Sequence, residues 1–342
     1  MKKQTYIKFA HDISNWYRAN KRDLPFRKTN DPYKIFLSEM MLQQTQVQTM
    51  LPYYARFIER FPTINDLASA TEDDVLTMWQ GLGYYRRAKF IHQAAIAVRD
   101  QHNGVFPSDL KSIKALKGVG DYTAGAIHSI AFNQPTPAID GNVMRVMSRV
   151  LGIYDPINNT ETVRSVKQLV GKMILHENPS DFTQALMELG ALVCKQTPVC
   201  EVCPVQAKCF AYKHSAQSTL PVKEKLAPKT EHHFITFLVT YKDKVLLQRN
   251  PADGLLANML ACPQFEVDTF DEALTLFKHR YSFDVKNIKY VSQIKHVFTH
   301  RVWYMHIYQM DATDLNASFY AIDALPHAIS RAHQKVLHSY KK

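Results

Sequence analysis

Residues 109–132 read DLKSIKALKGVGDYTAGAIHSIAF. Apolar residues spaced at three and four on either side of Lys117-Gly118-Val119-Gly120 predict two helices joined by a hairpin. Two glycines around a small apolar residue let the backbone turn sharply with its amides pointing outward. Amides at a helix start form an anion site that suits a phosphate. Asp121 stands where it would cap the second helix. A phosphate contact here would be blind to base sequence and would fix register on a backbone. An ordinary turn between two helices has the same pattern, so the stretch alone leaves both readings open.

The same period extends both ways. Segments such as SEMMLQQTQVQTMLPYYARFIERF (38–61) and TVRSVKQLVGKMIL (162–175) belong to a pattern that is almost entirely helical from residue 4 to about 212. Pro25, Pro62, Pro107, Gly118, Pro135 and Pro156 punctuate its joints. Residues 215–231, SAQSTLPVKEKLAPKTE, lack periodicity and read as a linker. Beyond it the period shifts to that of strands. HHFITFLVTY (232–241) and KDKVLLQR (242–249) bracket a Lys-Asp-Lys turn, and NIKYVSQIKHVFTH (287–300) with RVWYMHIYQM (301–310) forms a second pair. DEALTLFKHRYSF (271–283) and PHAISRAHQKVLHSY (326–340) read as helices. The expected architecture is multidomain. Residues 1–214 form an all-α region with the helix–hairpin–helix at 109–132 and a cysteine loop at 194–209. The linker 215–231 and a smaller α+β domain, 232–342, follow. No internal repeat is visible.

The 342 residues carry 42 Lys and Arg against 31 Asp and Glu, a formal charge of +11. Residues 232–342 hold 13 basic and 10 acidic residues, so about +8 falls in the first 231. Such an excess suits a polyanion, whose neutralised phosphates release counterions; charge alone leaves a merely soluble basic protein equally open. The start, MKKQTYIKFAHDISNWY, lacks the apolar core of a secretory signal, and no apolar run is long enough to span a bilayer. The expectation is a soluble, cytoplasmic, nucleoid-associated protein of bacterial type that acts as a monomer.

Cys194, Cys200, Cys203 and Cys209 stand as C-x5-C-x2-C-x5-C, while Cys262 is alone and reads as buried packing. Four thiolates in one short loop can close around a [4Fe–4S] cluster or hold tetrahedral zinc. Disulfides are disfavoured in a reducing compartment. With every ligand a cysteine, no position stays open to substrate, so the site reads as structural. Lys195, Lys208 and Lys213 beside it could meet a DNA backbone.

Two carboxylates draw attention. Glu39 lies among Phe36, Leu37, Met40, Met41 and Leu42. It is either a solvated helix-face residue or a carboxyl whose raised pKa suits a general acid. The QQTQ run beside it can bond base edges. Asp140, in PAIDGNVMRVMSRV, opens a helix and reads first as an N-cap. Cleaving a glycosidic bond takes one group to protonate the leaving group and another to stabilise the cationic sugar.

The hairpin resembles that of the endonuclease III superfamily of base-excision glycosylases, with Lys117 where the family has proline in Leu-Pro-Gly-Val-Gly. That superfamily usually spaces its cysteines C-x6-C-x2-C-x5-C. The likeness implies an iron–sulfur cluster here despite a first interval one residue shorter. In order and spacing, SEMMLQQTQV, GLGYYRRA, GVGDYTAGAI and IDGNVMRV resemble the adenine DNA glycosylases, the MutY family, over nearly the whole chain. The resemblance implies double-stranded DNA with an A:8-oxoG or A:G mispair as partner, from which a flipped-out adenine is excised. Glu39 would protonate adenine at N7, and Asp140 would stabilise the sugar cation or form a transient covalent adduct. Asn142 would hold Asp140 and the water, Tyr122 would order the site, and Gln44 and Tyr84 would wedge into the duplex. Gly118 and Gly120 would grip the backbone. Members that cut the strand carry lysine where this chain has Tyr122, which cannot form a Schiff base; the implied activity stops at base removal. An endonuclease III-like lyase acting on oxidised pyrimidines is the main alternative, and a non-catalytic Fe–S DNA-binding protein is a second.

The C-terminal domain resembles a Nudix fold without its acidic box, so it is expected to bind rather than hydrolyse, and a Nudix nucleotide hydrolase is the least supported alternative. The family's Phe-Ser-His lesion-recognition loop corresponds to Phe298, Thr299 and His300. Nine of the fifteen histidines lie in this domain without metal-ligand spacing.

Overall fold

The computed structural model describes residues 3–224, 227–314, 318–325 and 327–339. They form two compact units, Met1–Ser69 with Phe90–Lys225, and Ala70–Lys89 with Leu226–Lys342. Helices run as α1 (Lys3–Asn20), α2 (Pro32–Leu42), α3 (Val47–Arg60), α4 (Ile64–Ser69), α5 (Glu72–Trp79), α6 (Arg86–Gln101), α7 (Leu110–Ala115) and α8 (Asp121–Ile130). They continue as α9 (Gly141–Leu151), α10 (Thr160–Met173), α11 (Pro179–Leu192) and α12 (Phe210–Lys213), with α13 (Phe270–Arg280) and α14 (Arg331–His338) in the C-terminal part.

Local chemistry explains the helix starts in the first unit. Asp31 caps α2 with Pro32 at its first position, Asn159 caps α10, and Asn178 caps α11 ahead of Pro179. Asp140 is the cap of α9, accepting the Val143 amide at 2.7 Å, as its position predicted. Asp121 departs from expectation. Gly120 is the N-cap of α8 and Asp121 is already helical, its carboxylate held by Lys114 and by Lys167 at 2.8 Å. Those two ammonium groups pull the Asp121 carboxyl down to about 2.

Every residue of α2 from Ile35 to Met41 is buried. A helix buried all round needs partners on several sides, and α2 packs on α8. In turn α8 lies on α11, which also meets α1 and α9. This packing delivers α2, α8 and α9 to one place.

In the second unit the strands are β1 (Thr230–Tyr241), β2 (Lys244–Leu246), β3 (Gln248–Arg249), β4 (Leu260–Ala261), β5 (Gln264–Phe265), β6 (Val285–Val297), β7 (Arg301–Ala312) and β8 (Phe319–Ala321). The main sheet has the order β6-β7-β1-β2-β8, with β5 also on β1, and β3 pairs with β4 separately. β1 and β7 are parallel from Thr230 opposite Arg301 to Thr240 opposite Asp311; β6 and β7 form an antiparallel hairpin. Phe234 and Leu238 of β1 face a core shared with Ala332 and Val336 of α14, whereas Ile235, Phe237 and Val239 face Ala273 and Phe277 of α13. A strand covered on both faces reads as a continuous apolar run, which is why ITFLV does.

The last helix is shorter than the pattern over 326–340 predicted. Ile329 pairs in extended form with Leu260, Ser330 caps, and α14 begins only at Arg331; Pro326 and Tyr340 lie outside the described residues. No helix among the described residues is long and apolar enough to cross a membrane.

Candidate active site

Glu39 of α2, Tyr122 of α8 and Asp140 and Asn142 at the head of α9 line one cleft of about 1100 Å3 in the first unit. The expected chemical residues are thus brought together. Glu39 is 2 % exposed. Its Oε2 accepts a hydrogen bond from the Tyr122 hydroxyl at 2.6 Å. Burial raises the Glu39 pKa above the usual carboxylate range, against the pull of Arg27 and the Tyr122 hydrogen bond and with a contribution from Asp140. Burial and the two carboxylates together push the Tyr122 phenol well above its ordinary value. Tyr122 is therefore a neutral donor at physiological pH.

Asp140 accepts two hydrogen bonds, from the Val143 amide at Oδ1 and from Asn142 Nδ2 at Oδ2, 2.8 Å away. Asn142 is oriented in turn by Arg145, which donates to Asn142 Oδ1 at 2.8 Å. Since arginine only donates, this contact fixes which end of the amide turns to Asp140. Arg145 also donates to the carbonyls of Gly190 at 2.9 Å and Cys194 at 2.8 Å.

Sequence reading missed several residues here. Arg145 is three positions after Asn142 on a helix, a spacing that could have flagged it. Glu188 of α11 is buried in the cleft wall, accepting two hydrogen bonds at 2.8 Å from Arg22 with Arg27 3.8 Å away. Arg27 donates to Gln184 at 3.1 Å, and among the described residues its buried Nε has no hydrogen-bond partner. No sequence signal joined Arg22 and Arg27 to α11.

Gln44 sits exposed on the cleft rim with φ 59°. Its neighbour Gln43 donates to Thr123 at 3.2 Å, tying the amide run to α8. In the hairpin, Gly118 has φ 80°, and a Cβ there would come within 2.6 Å of the Phe90 ring, so both backbone and space require glycine. Gly120 is extended and faces open space. As the N-cap of α8, Gly120 supplies no side chain to its amides. The Lys117 ammonium lies 5.9 Å from the centre of the Phe90 ring.

Cys194, Cys200, Cys203 and Cys209 line a single cavity walled by Val146, Leu189, Val193 and Val205. Among the described residues no three His, Cys, Asp or Glu side chains stand close enough to hold one metal ion. The four sulfurs share one apolar cavity, and thiolates are the ligands that an iron–sulfur cluster takes. Arg149, which is 3 % exposed, ties this loop down by donating to the carbonyls of Lys195 (2.5 Å), Gln196 (2.9 Å) and Leu220 (2.9 Å) and to the Cys194 sulfur at 3.5 Å.

The other expected DNA contacts lie in the second unit. Tyr84 has φ 52° and is 47 % exposed. Thr299 and His300 are exposed at the β6–β7 turn, closed by the Phe298 amide donating to Arg301 at 2.8 Å. Phe298 is half-buried, edge-on to Trp303 at 4.8 Å and to His296 at 4.7 Å. Cys262 is buried, as its solitary position predicted.

Comparison with known proteins accounts for both units. Residues 37–172 match the HhH-GPD superfamily of base excision DNA repair proteins, and residues 235–339 match the Nudix domain. The chain is 34% identical to the adenine DNA glycosylase of Buchnera aphidicola subsp. Baizongia pistaciae, over 88% of this chain and 86% of that one. It is 39% identical to the Homo sapiens adenine DNA glycosylase over 65% of this chain and 44% of that one. Among solved structures, a thermostable thymine-DNA glycosylase covers 62% of this chain and 98% of its own, at 26% identity and a TM-score of 0.57. Endonuclease III in a non-covalent DNA complex shares the fold, at 23% identity and a TM-score of 0.55 over 64% of this chain and 99% of its own.

Proposed function

The chain belongs to the adenine DNA glycosylases of the helix–hairpin–helix base-excision repair superfamily, and we propose that it excises adenine with Glu39 as acid and Asp140 as its anionic counterpart. One observation carries this reading: a carboxyl whose pKa burial raises, with Tyr122 bonded to Oε2, faces the same cleft as an aspartate that accepts hydrogen bonds from Asn142 and the Val143 amide. Tyr122 occupies Oε2, which leaves Oε1 to carry the proton that passes to N7 of a flipped adenine. Loss of the base leaves positive charge on the sugar, beside the Asp140 carboxylate held by Asn142 and the Val143 amide. Asn142, set by Arg145, positions the water or the adduct that resolves that cation.

The partner is duplex DNA. We assign its preferred mispair to A:8-oxoG, with A:G as a second substrate. Thr299 and His300 offer a hydroxyl and ring nitrogens to the lesion at an exposed turn, and Phe298 intercalates by leaving its place against Trp303. Tyr84 and Gln44 wedge at the estranged base, and the backbone amides of the Gly118–Gly120 hairpin hold a phosphate. Cys194, Cys200, Cys203 and Cys209 would hold a [4Fe–4S] cluster, which when bound cross-links the loop that Arg149 anchors. With Tyr122 in place of an amine nucleophile, the reaction stops at the abasic site.

Single-turnover excision on duplexes with adenine opposite 8-oxoguanine tests this. Glu39→Gln and Asp140→Asn should each abolish excision while duplex binding persists. Borohydride trapping of wild-type protein in a stable covalent adduct would overturn the absence of lyase chemistry.

A further inference from the structure

The segment that carries Tyr84 forms one compact unit with the C-terminal sheet, although well over a hundred residues separate them in sequence. Its attachment is specific. A capping box starts α5, with Thr71 and Asp74 satisfying each other's amides. Glu72 and Asp73 of the same turn reach partners further along the chain. Asp73 accepts from Arg249 of β3 at 2.8 Å, and His327 Nδ1 lies 3.0 Å from its other oxygen. Glu72 accepts from Asn258 at 2.6 Å and meets Lys89 at 3.1 Å through the same oxygen. Lys89 ends the segment that Glu72 all but begins, so one carboxylate closes the loop and fastens it.

The interior of the segment is equally determined. The Gly83 carbonyl accepts from Trp79 Nε1 at 2.9 Å and from Arg87 at 3.2 Å, and the Gly81 amide donates to the Tyr85 hydroxyl at 3.0 Å. The Arg87 guanidinium, buried, stands 5.3 Å from the Trp79 ring and 5.2 Å from that of Tyr84. These contacts hold Tyr84 in a left-handed conformation that a bulky residue does not adopt unless its surroundings impose it.

Arg249 and Asn258 are themselves joined, Arg249 Nε donating to the Asn258 carbonyl at 3.2 Å. Behind them β3 pairs with β4, whose Leu260 lies in one core with Ile329 and Trp303, against which Phe298 packs. The Tyr84 turn and the Phe298–His300 turn are therefore rooted in one packed body. We propose that Arg249 and Asn258 are positioning residues that set Tyr84 from the C-terminal sheet, so that wedge and lesion-reading turn move as one. The proposal rests on the reading above that both meet the base opposite the adenine.

The test uses the full chain. In Arg249→Ala/Asn258→Ala, amide exchange at Gly81–Tyr85 should quicken by about tenfold or more, the scale of a coupling between residues in contact, with α8 and α9 unchanged. The single-turnover preference for A:8-oxoG over A:G should fall in this variant and in Tyr84→Ala. Combining all three substitutions should lower it no further than Tyr84→Ala does. Arg249→Lys with Asn258 intact should restore part of the preference. Unchanged exchange at Gly81–Tyr85, or effects on the preference that simply add, would overturn the inference. A preference untouched by Tyr84→Ala would instead sink the wedge reading, and exchange alone would then decide whether the sheet sets the turn.

Discussion

Asn142 and Gly190 stand so close that a Cβ on the glycine would lie 2.7 Å from the Cβ of the asparagine. A glycine in mid-helix costs about 1 kcal/mol relative to alanine, so its presence in α11 calls for a reason, and the reason is room for the amide that orients Asp140. Gly190→Ala should displace Asn142 and lower single-turnover excision by roughly 10- to 100-fold, as small misplacements at reacting centres do. Excision at the wild-type rate would show that Asn142 tolerates the shift.

Burial of Glu39 comes at the expense of stability. Its folded-state pKa is raised, so the folded chain keeps a proton that the unfolded chain releases above about pH 4.3. Stability therefore declines as pH rises from there until the raised pKa is passed. Glu39→Gln should abolish excision yet unfold at a higher temperature, with a larger gain at pH 8 than at pH 5. Wild-type excision should fall as pH rises through the raised value. A thermal midpoint for Glu39→Gln equal to wild type at pH 8 contradicts this.

Lys114 and Lys167 are engaged by Asp121, whereas Lys117 is held over Phe90 beside the hairpin amides. Lys117→Ala should weaken binding to any duplex equally and reduce the slope of log K against log salt by about one. A variant that changes lesion preference but leaves the slope alone would place Lys117 elsewhere.

In the second unit, burial draws His333 down to about 4, and burial with Lys335 and Arg331 does the same for His296. Both are neutral when folded, so the unfolded state binds more protons between about pH 6.5 and 4. Stability should be whole above 6.5 and fall as pH drops toward 4, by about 3 kcal/mol for His333 alone. Emission from Trp303, whose ring is 6.4 Å from His333, reports the loss; a variant His333→Gln should flatten the pH dependence.

The periodicity of residues 38–61 and 109–132 announced the helices, and motif resemblance picked out Glu39, Tyr122, Asp140 and Asn142, which the fold gathers in one cleft. Less was legible where a residue's role depends on a distant partner. Arg27 and Glu188 look like ordinary helix-surface charges until α1, the turn at Pro25 and α11 come together. Asp121 fits the statistics of a cap, yet Lys114 of α7 and Lys167 of α10 outcompete the backbone for its carboxylate. Asp73 and Arg249 are far apart in sequence and carry no pattern linking them.

That last pairing also orders events during synthesis. The first unit is completed by about residue 225, and by then Glu72 has Lys89, but Arg249, Asn258 and His327, which also meet Glu72 and Asp73, have still to emerge. On the ribosome, the Ala70–Lys89 segment waits, tethered at both ends to a body that has already folded, for the last third of the chain. It is a strap whose last fastenings wait for the C-terminal sheet, so a chain ended before residue 249 leaves the Glu72 and Asp73 carboxylates without Arg249, Asn258 and His327.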